Sequence, residues 1–125
     1  MIRAQDIPRD ARAPAIARRM VDDIAGVLDP LSADQARLLL SEVVTNAVRH
    51  GEGETIRVLL DADDRGELRC EVTDEGHGFV PMARDKPSTD EGGWGLHLVE
   101  TLARRWGVRE GSTHVWFELA AQQPA

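Results

Sequence analysis

Two short segments of the sequence contain residue types that can do chemistry at a fixed spacing. In the first, Glu42, Asn46 and His50 follow one another at intervals of four residues, which places them on one stripe of a helix, about 12 Å long. Asparagine is a poor residue for a helix interior, its amide oxygen suits Mg²⁺, and a glutamate one turn earlier can act as a general base. A solvated helix face would produce the same pattern, so the segment alone leaves both interpretations open.

The second segment, DEGHGF, places Asp74, Gly76 and Gly78 in the order D-x-G-x-G after an apolar run. The pattern suits a turn that binds adenine, a metal site that also uses Glu75 and His77, or a loop that ends a strand. Because a pattern this short often arises by chance, it does not choose among the three.

A glycine-rich segment, EGGWGLHLVE, opens a predicted helix at residues 91–100. Glycines ahead of a helix let backbone N–H groups converge on an anion, and the helix dipole adds a positive end. The lysine of a G-x-x-x-x-G-K-[ST] phosphate loop is absent. The segment is therefore either a phosphate site or an ordinary junction between a loop and a helix.

Composition narrows the class of protein. A length of 125 residues predicts one domain, 1–125, with a core of its own. The net charge of −7 disfavours direct binding of nucleic acid or of an anionic membrane. One cysteine, Cys70, excludes an internal disulfide and a cysteine-based zinc site, and is expected to be a small apolar strand residue. The four histidines lack the spacing of zinc ligands. No segment approaches membrane-spanning length, so we expect a cytoplasmic protein.

The periodicity of apolar residues predicts an α+β fold, a two-layer sandwich of a mostly antiparallel sheet with helices on one face. The second predicted helix begins at Ser32, with Gln35 completing a capping box, and ends at His50 with Gly51 as a left-handed cap. In order, the predicted elements are a helix over 8–28, a helix over 32–50, a hairpin of strands over 55–62 and 67–73, a long loop over 79–91, a helix that opens at 92–95 and ends at Trp106, and a hairpin within 108–119.

Taken in order, these segments resemble the GHKL superfamily of ATPases and kinases, which shares the Bergerat ATP-binding fold. SEVVTNAVRHG resembles the N box, DEGHGF the first glycine box, GGWGLHLVETLA the second, and GSTHVWFEL the closing strand. The resemblance covers about residues 10–120. It implies ATP and Mg²⁺ as cofactors, with residues 79–91 as the ATP lid.

The resemblance also implies roles for single residues. Glu42 would be the general base, and Asn46 would hold Mg²⁺ beside the phosphates. Asp74 would accept a hydrogen bond from the adenine amino group, while Gly76 and Gly78 would let the backbone approach the base. The remaining residues that it places near the nucleotide are Gly93, Gly95 and Leu96 as N–H donors to phosphate, Thr113 near adenine, Arg49 and His50 near the ribose and phosphates, and Arg84 and Lys86 as phosphate contacts from the lid.

Within the superfamily, the short lid and the LLL before the N box look most like the small bacterial anti-sigma factor serine-protein kinases. That resemblance implies sequestration of a sigma factor, phosphorylation of an anti-sigma antagonist with a STAS fold, and a first helix that faces partners and supports a homodimer. Two alternatives stay open. One is a nucleotide-binding regulatory module that sequesters a partner without phosphoryl transfer, and the other is a stand-alone ATP domain of a sensor kinase.

Overall fold

The computed structural model describes residues 1–75, 95–108 and 114–121. Five antiparallel strands form one sheet in the order β1-β2-β3-β5-β4, and the helices cover one face of it, which confirms the α+β prediction. The elements are β1 (Ile2–Pro8), α1 (Ala13–Ile24), a 3₁₀ turn (Ala25–Val27), α2 (Pro30–His50), β2 (Thr55–Ala62), β3 (Leu68–Asp74), α3 (Gly95–Leu102), β4 (Arg105–Val108) and β5 (Val115–Leu119).

The core lies between the inner face of the sheet and helices α1 and α2. Alternate residues of β3 are buried because successive side chains of a strand point to opposite faces. Cys70 is one of them, and its complete burial raises the pKa of the thiol and keeps it protonated. It is a small apolar strand residue, as expected. Its neighbours in the core include Leu39, Leu40 and Val43 of α2 and Phe117 of β5.

Strand β1 was not predicted from the sequence, which indicated a polar N-terminus followed by a helix from Pro8. Within β1 only Ile7 is buried, because the strand forms an edge of the sheet and exposes its other side chains. An exposed edge strand lacks the alternation of apolar and polar residues that reveals a half-buried strand. Its ladder with β2 runs from Ile2 opposite Asp61 to Pro8 opposite Thr55, so α1 begins only at Ala13.

The start of α2 also differs from the prediction, which placed a capping box at Ser32 and Gln35. Helix α2 begins at Pro30, since proline suits the first turn of a helix, where its missing N–H leaves no bond unmade. Asp29 is the N-cap. Its carboxylate accepts hydrogen bonds from the Ser32 backbone N–H and the Ser32 hydroxyl, each at 2.9 Å.

Helix α3 is shorter than predicted. It ends at Leu102, and residues 105–108 form β4, so Trp106 belongs to a strand rather than to the helix. The chain turns because the Arg104 backbone N–H bonds the Glu118 carbonyl at 2.8 Å instead of continuing the helix. Gly107 then crosses the Trp116 ring, where a Cβ atom would lie 3.0 Å from the ring atoms. Within the described residues, no helix is both long and apolar enough to cross a membrane.

Candidate functional site

The C-terminal half of α2 carries the first part of the site. Asn46 is only 7% exposed, and Glu42, one turn earlier, is partly buried. Neither side chain forms a hydrogen bond or ion pair with any residue in the ranges 1–75, 95–108 and 114–121. Asn46 thus combines low exposure with an amide that no described residue bonds, in the half of α2 that ends beside Asp74, so it is a candidate ligand-binding group.

Asp74 provides the second part of the site, at the end of β3. It is paired with Ile56 of β2, points to the inner face of the sheet and is 9% exposed. Gly51, directly after α2, lies against it. A Cβ atom on Gly51 would lie 2.7 Å from Cγ of Asp74 and overlap its Oδ2 atom. The structure thus brings the end of the Asn46 helix and the Asp74 carboxylate together.

The contact between Gly51 and Asp74 also changes the interpretation of the glycine. Helix α2 ends at His50, as predicted, but the left-handed cap predicted for Gly51 is wrong. Its φ of −84° and ψ of −170° are extended values that any residue adopts. Glycine is needed here because the Asp74 carboxylate occupies the space of a side chain.

The structure describes only some of the other predicted site residues. Arg49 and His50 lie in the last turn of α2 and are exposed. Gly95 and Leu96 are the first two residues of α3, where helix geometry leaves backbone N–H groups without intrahelical partners. Their contact with phosphate stays a prediction. The rest of the predicted set lies outside the described residues: Gly76, Gly78, Arg84, Lys86, Gly93, Thr113 and the whole lid at 79–91.

Two residues that the predicted nucleotide site did not include border the candidate site. Arg9 follows the unpredicted strand β1 and reaches the backbone around the end of α2. Glu75 occupies an open position of the D-x-G-x-G pattern and bonds the segment that follows α2. The sequence carried no signal for Arg9, because the strand before it lacks the alternating pattern by which strands are predicted. For Glu75 the only signal was its adjacency to Asp74.

The described residues fit a magnesium nucleotide better than a metal held by protein alone. No group of three or more His, Cys, Asp or Glu side chains within the described ranges could hold a metal ion. A hard cation here would therefore need oxygen ligands from phosphate and water besides the amide of Asn46, which is the coordination that Mg²⁺ prefers. The buried Asp74 carboxylate can accept hydrogen bonds only, which suits an exocyclic amino group.

Several known proteins are similar to this chain in sequence or in fold. The anti-sigma F factor of Clostridium acetobutylicum is 32% identical in an alignment 100 residues long that covers 70% of this chain and 69% of that protein. The sensor histidine kinase YdfH of Bacillus subtilis is 38% identical over 78 residues, which are 62% of this chain but 18% of that protein. Among solved structures, the RsbU and RsbW domains of Rv1364c from Mycobacterium tuberculosis match with a TM-score of 0.71 and 21% identity, over the whole of this chain and 34% of the other.

The structural match shows the same fold. At the level of sequence, the profile of the histidine kinase-like ATPase domain matches residues 7–119. These findings confirm the resemblance to GHKL proteins that the order of the motifs indicated. The chain belongs to the histidine kinase-like ATPase domain family.

Proposed function

We propose that this protein is an ATP-dependent serine/threonine-protein kinase of a bacterial partner-switching system. It binds a sigma factor, and it phosphorylates an anti-sigma antagonist with a STAS fold. Similarity to an anti-sigma F factor over more than two thirds of both chains supports the class of partner. The observation that carries the chemistry is Asn46, which is 7% exposed, has no hydrogen-bond partner among the described residues, and lies one helical turn after Glu42 on α2, whose end lies beside Asp74.

In this proposal Asp74 accepts a hydrogen bond from the adenine amino group. Guanine carries a carbonyl at the corresponding position, so it would leave the buried carboxylate facing another acceptor, which is costly. Asn46 would hold Mg²⁺ through its amide oxygen, and the bound ion neutralises charge on the phosphates. Backbone N–H groups at the start of α3 face the same negative charge.

The reaction is a phosphoryl transfer to a hydroxyl group. Glu42 accepts the proton of the acceptor serine or threonine, and the hydroxyl oxygen forms a bond to the γ-phosphorus. The bond between that phosphorus and the bridging oxygen of ADP breaks, and ADP leaves with the electron pair. Glu42 suits the role of base because it is partly accessible and is not engaged in an ion pair within the described residues. Catalysis by such a base contributes about 10²- to 10⁴-fold to the rate.

The similarity to a sensor histidine kinase supports a second candidate, a stand-alone ATP domain that phosphorylates a histidine of a partner. The two candidates differ in the product. Phosphoserine and phosphothreonine survive acid, whereas the phosphoramidate bond of phosphohistidine does not. Acid treatment of the labelled partner therefore distinguishes them.

Substitution of Glu42 tests the proposed function. The wild-type protein, incubated with labelled ATP, Mg²⁺ and purified STAS-domain antagonists, should produce an acid-stable phosphoprotein. Glu42→Gln keeps the size of the side chain and removes its basicity, so transfer should fall about 100-fold or more while ATP affinity changes little. Glu71→Gln, on the outer face of the sheet, is the matched control and should transfer at the wild-type rate. Undiminished transfer by Glu42→Gln, or none by the wild type to any STAS protein, contradicts the kinase.

A further inference from the structure

We infer that Arg9 and Glu75 are positioning residues of the nucleotide site: they brace the connector of residues 51–54 from two sides and so hold Asp74 in place. The inference rests on the proposed binding of an adenine nucleotide at Asp74. The connector joins α2, which carries Asn46, to β2, and its first residue, Gly51, touches the Asp74 carboxylate. Its position therefore sets the relation between the two halves of the site.

Arg9 braces the connector from the side of β1. Its Nε donates to the carbonyl of Gly53 at 2.6 Å, and a terminal guanidinium nitrogen donates to the carbonyl of Val48 at 2.7 Å. Its backbone N–H bonds the carbonyl of Glu54 at 2.9 Å. The last four carbonyls of a helix have no intrahelical partner, and a charged donor bonds them more strongly than a neutral one. One side chain thus fixes both the last turn of α2 and the connector.

Glu75 braces the connector from the side of β3. Its backbone N–H bonds the carbonyl of Glu52 at 3.1 Å. Its carboxylate accepts hydrogen bonds from the Thr55 hydroxyl at 2.9 Å and from the Glu54 N–H at 3.3 Å. Gly53, at a φ of +88°, lies under this side chain, where a Cβ atom would overlap it. Glu75 follows Asp74 directly, so these bonds fasten the end of β3 to the connector.

The side chains of Arg9 and Glu75 bond neutral groups of the connector and its flanks, and not each other. Within the described parts of the chain, neither Arg9 nor Glu75 forms a salt bridge. All of their side-chain bonds go to residues between Val48 and Thr55. A purely solvating surface charge would have no reason to converge on one eight-residue segment, 48–55, from the ends of two strands. Precise placement of a hydrogen-bonding group depends on such supporting contacts.

Binding of ADP and GDP to a set of variants tests the inference. Arg9→Ala and Glu75→Ala should each weaken ADP binding about five- to ten-fold, the net scale of one ordinary hydrogen bond, because both residues act on the site indirectly, and should reduce the preference for ADP over GDP. Glu75→Gln keeps a group that can bond Thr55 and Glu54, and should restore both values. Arg3→Ala is the matched control, because Arg3 lies on β1, the strand that Arg9 follows, and among the described residues its side chain pairs with exposed Asp23 alone.

Calorimetry gives the affinities, and hydrogen exchange at residues 51–55 reports the bracing without any nucleotide. Faster exchange in Arg9→Ala and Glu75→Ala, with the loss of selectivity, supports the inference. If the wild type binds ADP and both variants keep its affinity and preference, the inference is wrong and the proposed function stands. Equal weakening of ADP and GDP shows a purely structural role and also overturns it. If the wild type does not bind ADP, the proposed function fails. Should Arg9→Ala not fold, the Glu75 pair decides alone.

Discussion

Strand β3 carries charged residues on both of its faces, and the surroundings of these side chains differ between the two faces. On the outer face, Arg69 bonds Glu71 at 2.8 Å and Glu118 at 2.9 Å and stacks over Trp116 with 4.3 Å to the ring centroid. Arg105 completes this outer cluster through Glu118. On the inner face, Asp74 is 9% exposed and its carboxylate lies against Gly51.

The comparison distinguishes the charged groups of the outer face, which pair with one another and stabilise the fold, from the polar groups that border the candidate site. Each carboxylate of the outer cluster meets a cation, and the pKa of Glu118 lies below its ordinary value because Arg105 and Arg69 donate hydrogen bonds to it. At the inner site, Asn46 is buried without a partner in the described residues. Asn46 lies in the half of α2 that ends beside Asp74, so a ligand bound there would supply the partner that the described residues do not.

The sharpest test of this comparison substitutes one carboxylate from each face. Asp74→Asn should weaken ADP binding about 100-fold, because it replaces a charged acceptor of the adenine amino group with an amide. Glu71→Gln makes the equivalent change on the outer face and should leave ADP affinity within about two-fold of the wild type, since uncoupled sites act independently. Titration calorimetry measures both, and circular dichroism should show that Asp74→Asn stays folded. Unchanged ADP binding by Asp74→Asn would remove adenine recognition from this end of β3.

A smaller effect is expected from filling the contact between α2 and β3. Gly51→Ala places a methyl group where the Asp74 carboxylate lies. It should lower the free energy of unfolding by about 1–3 kcal/mol, and ADP affinity should fall about ten-fold as the carboxylate is displaced. Gly26→Ala is the control, because no atom lies within 4 Å of a Cβ at that position. Urea unfolding with and without ADP gives both quantities, and a fully stable Gly51→Ala variant would contradict the close approach.

Much of the fold followed from the sequence, because most elements have one apolar face. The boundaries of β2 and the end of α2 were predicted to the residue. Strand β1 was missed for the opposite reason, since an edge strand with one buried side chain has no alternation to detect. The break before β4 was missed because the tryptophan of that strand continues the apolar period of α3.

The candidate site divides in the same way. Glu42, Asn46 and Asp74 were singled out by the resemblance to a known family, since their types and spacing alone left other interpretations open, and their roles stay predictions. The role of Gly51 could not be predicted, since it depends on a side chain 23 positions away that only the tertiary fold brings near. The role of Arg9 could not be predicted for the same reason, since its partners, Val48 and Gly53, follow it by 39 and 44 residues.

The outer cluster gives the smallest expected effect, and its dependence on pH has a definite sign. The pKa of Glu118 is lowered by the hydrogen bond from Arg105 and, despite some burial, by that from Arg69. A carboxyl group with a lowered folded-state pKa stabilises the protein above its unfolded pKa of about 4.3. That contribution is lost as the pH falls through the folded-state value.

Glu118→Gln should therefore lower the free energy of unfolding by about 1 kcal/mol at pH 7, the scale of a partly exposed ion-pair network. The difference from the wild type should shrink below about pH 4.3 as the wild-type carboxylate gains its proton, and it should also shrink in high salt. Urea unfolding at a series of pH values measures this difference, with the exposed Glu100→Gln as control.

ADP affinity should stay unchanged throughout, because the cluster lies on the face of the sheet opposite Asp74. A change in ADP affinity would show that the two faces of β3 are coupled, which the pairing of the outer charges among themselves argues against.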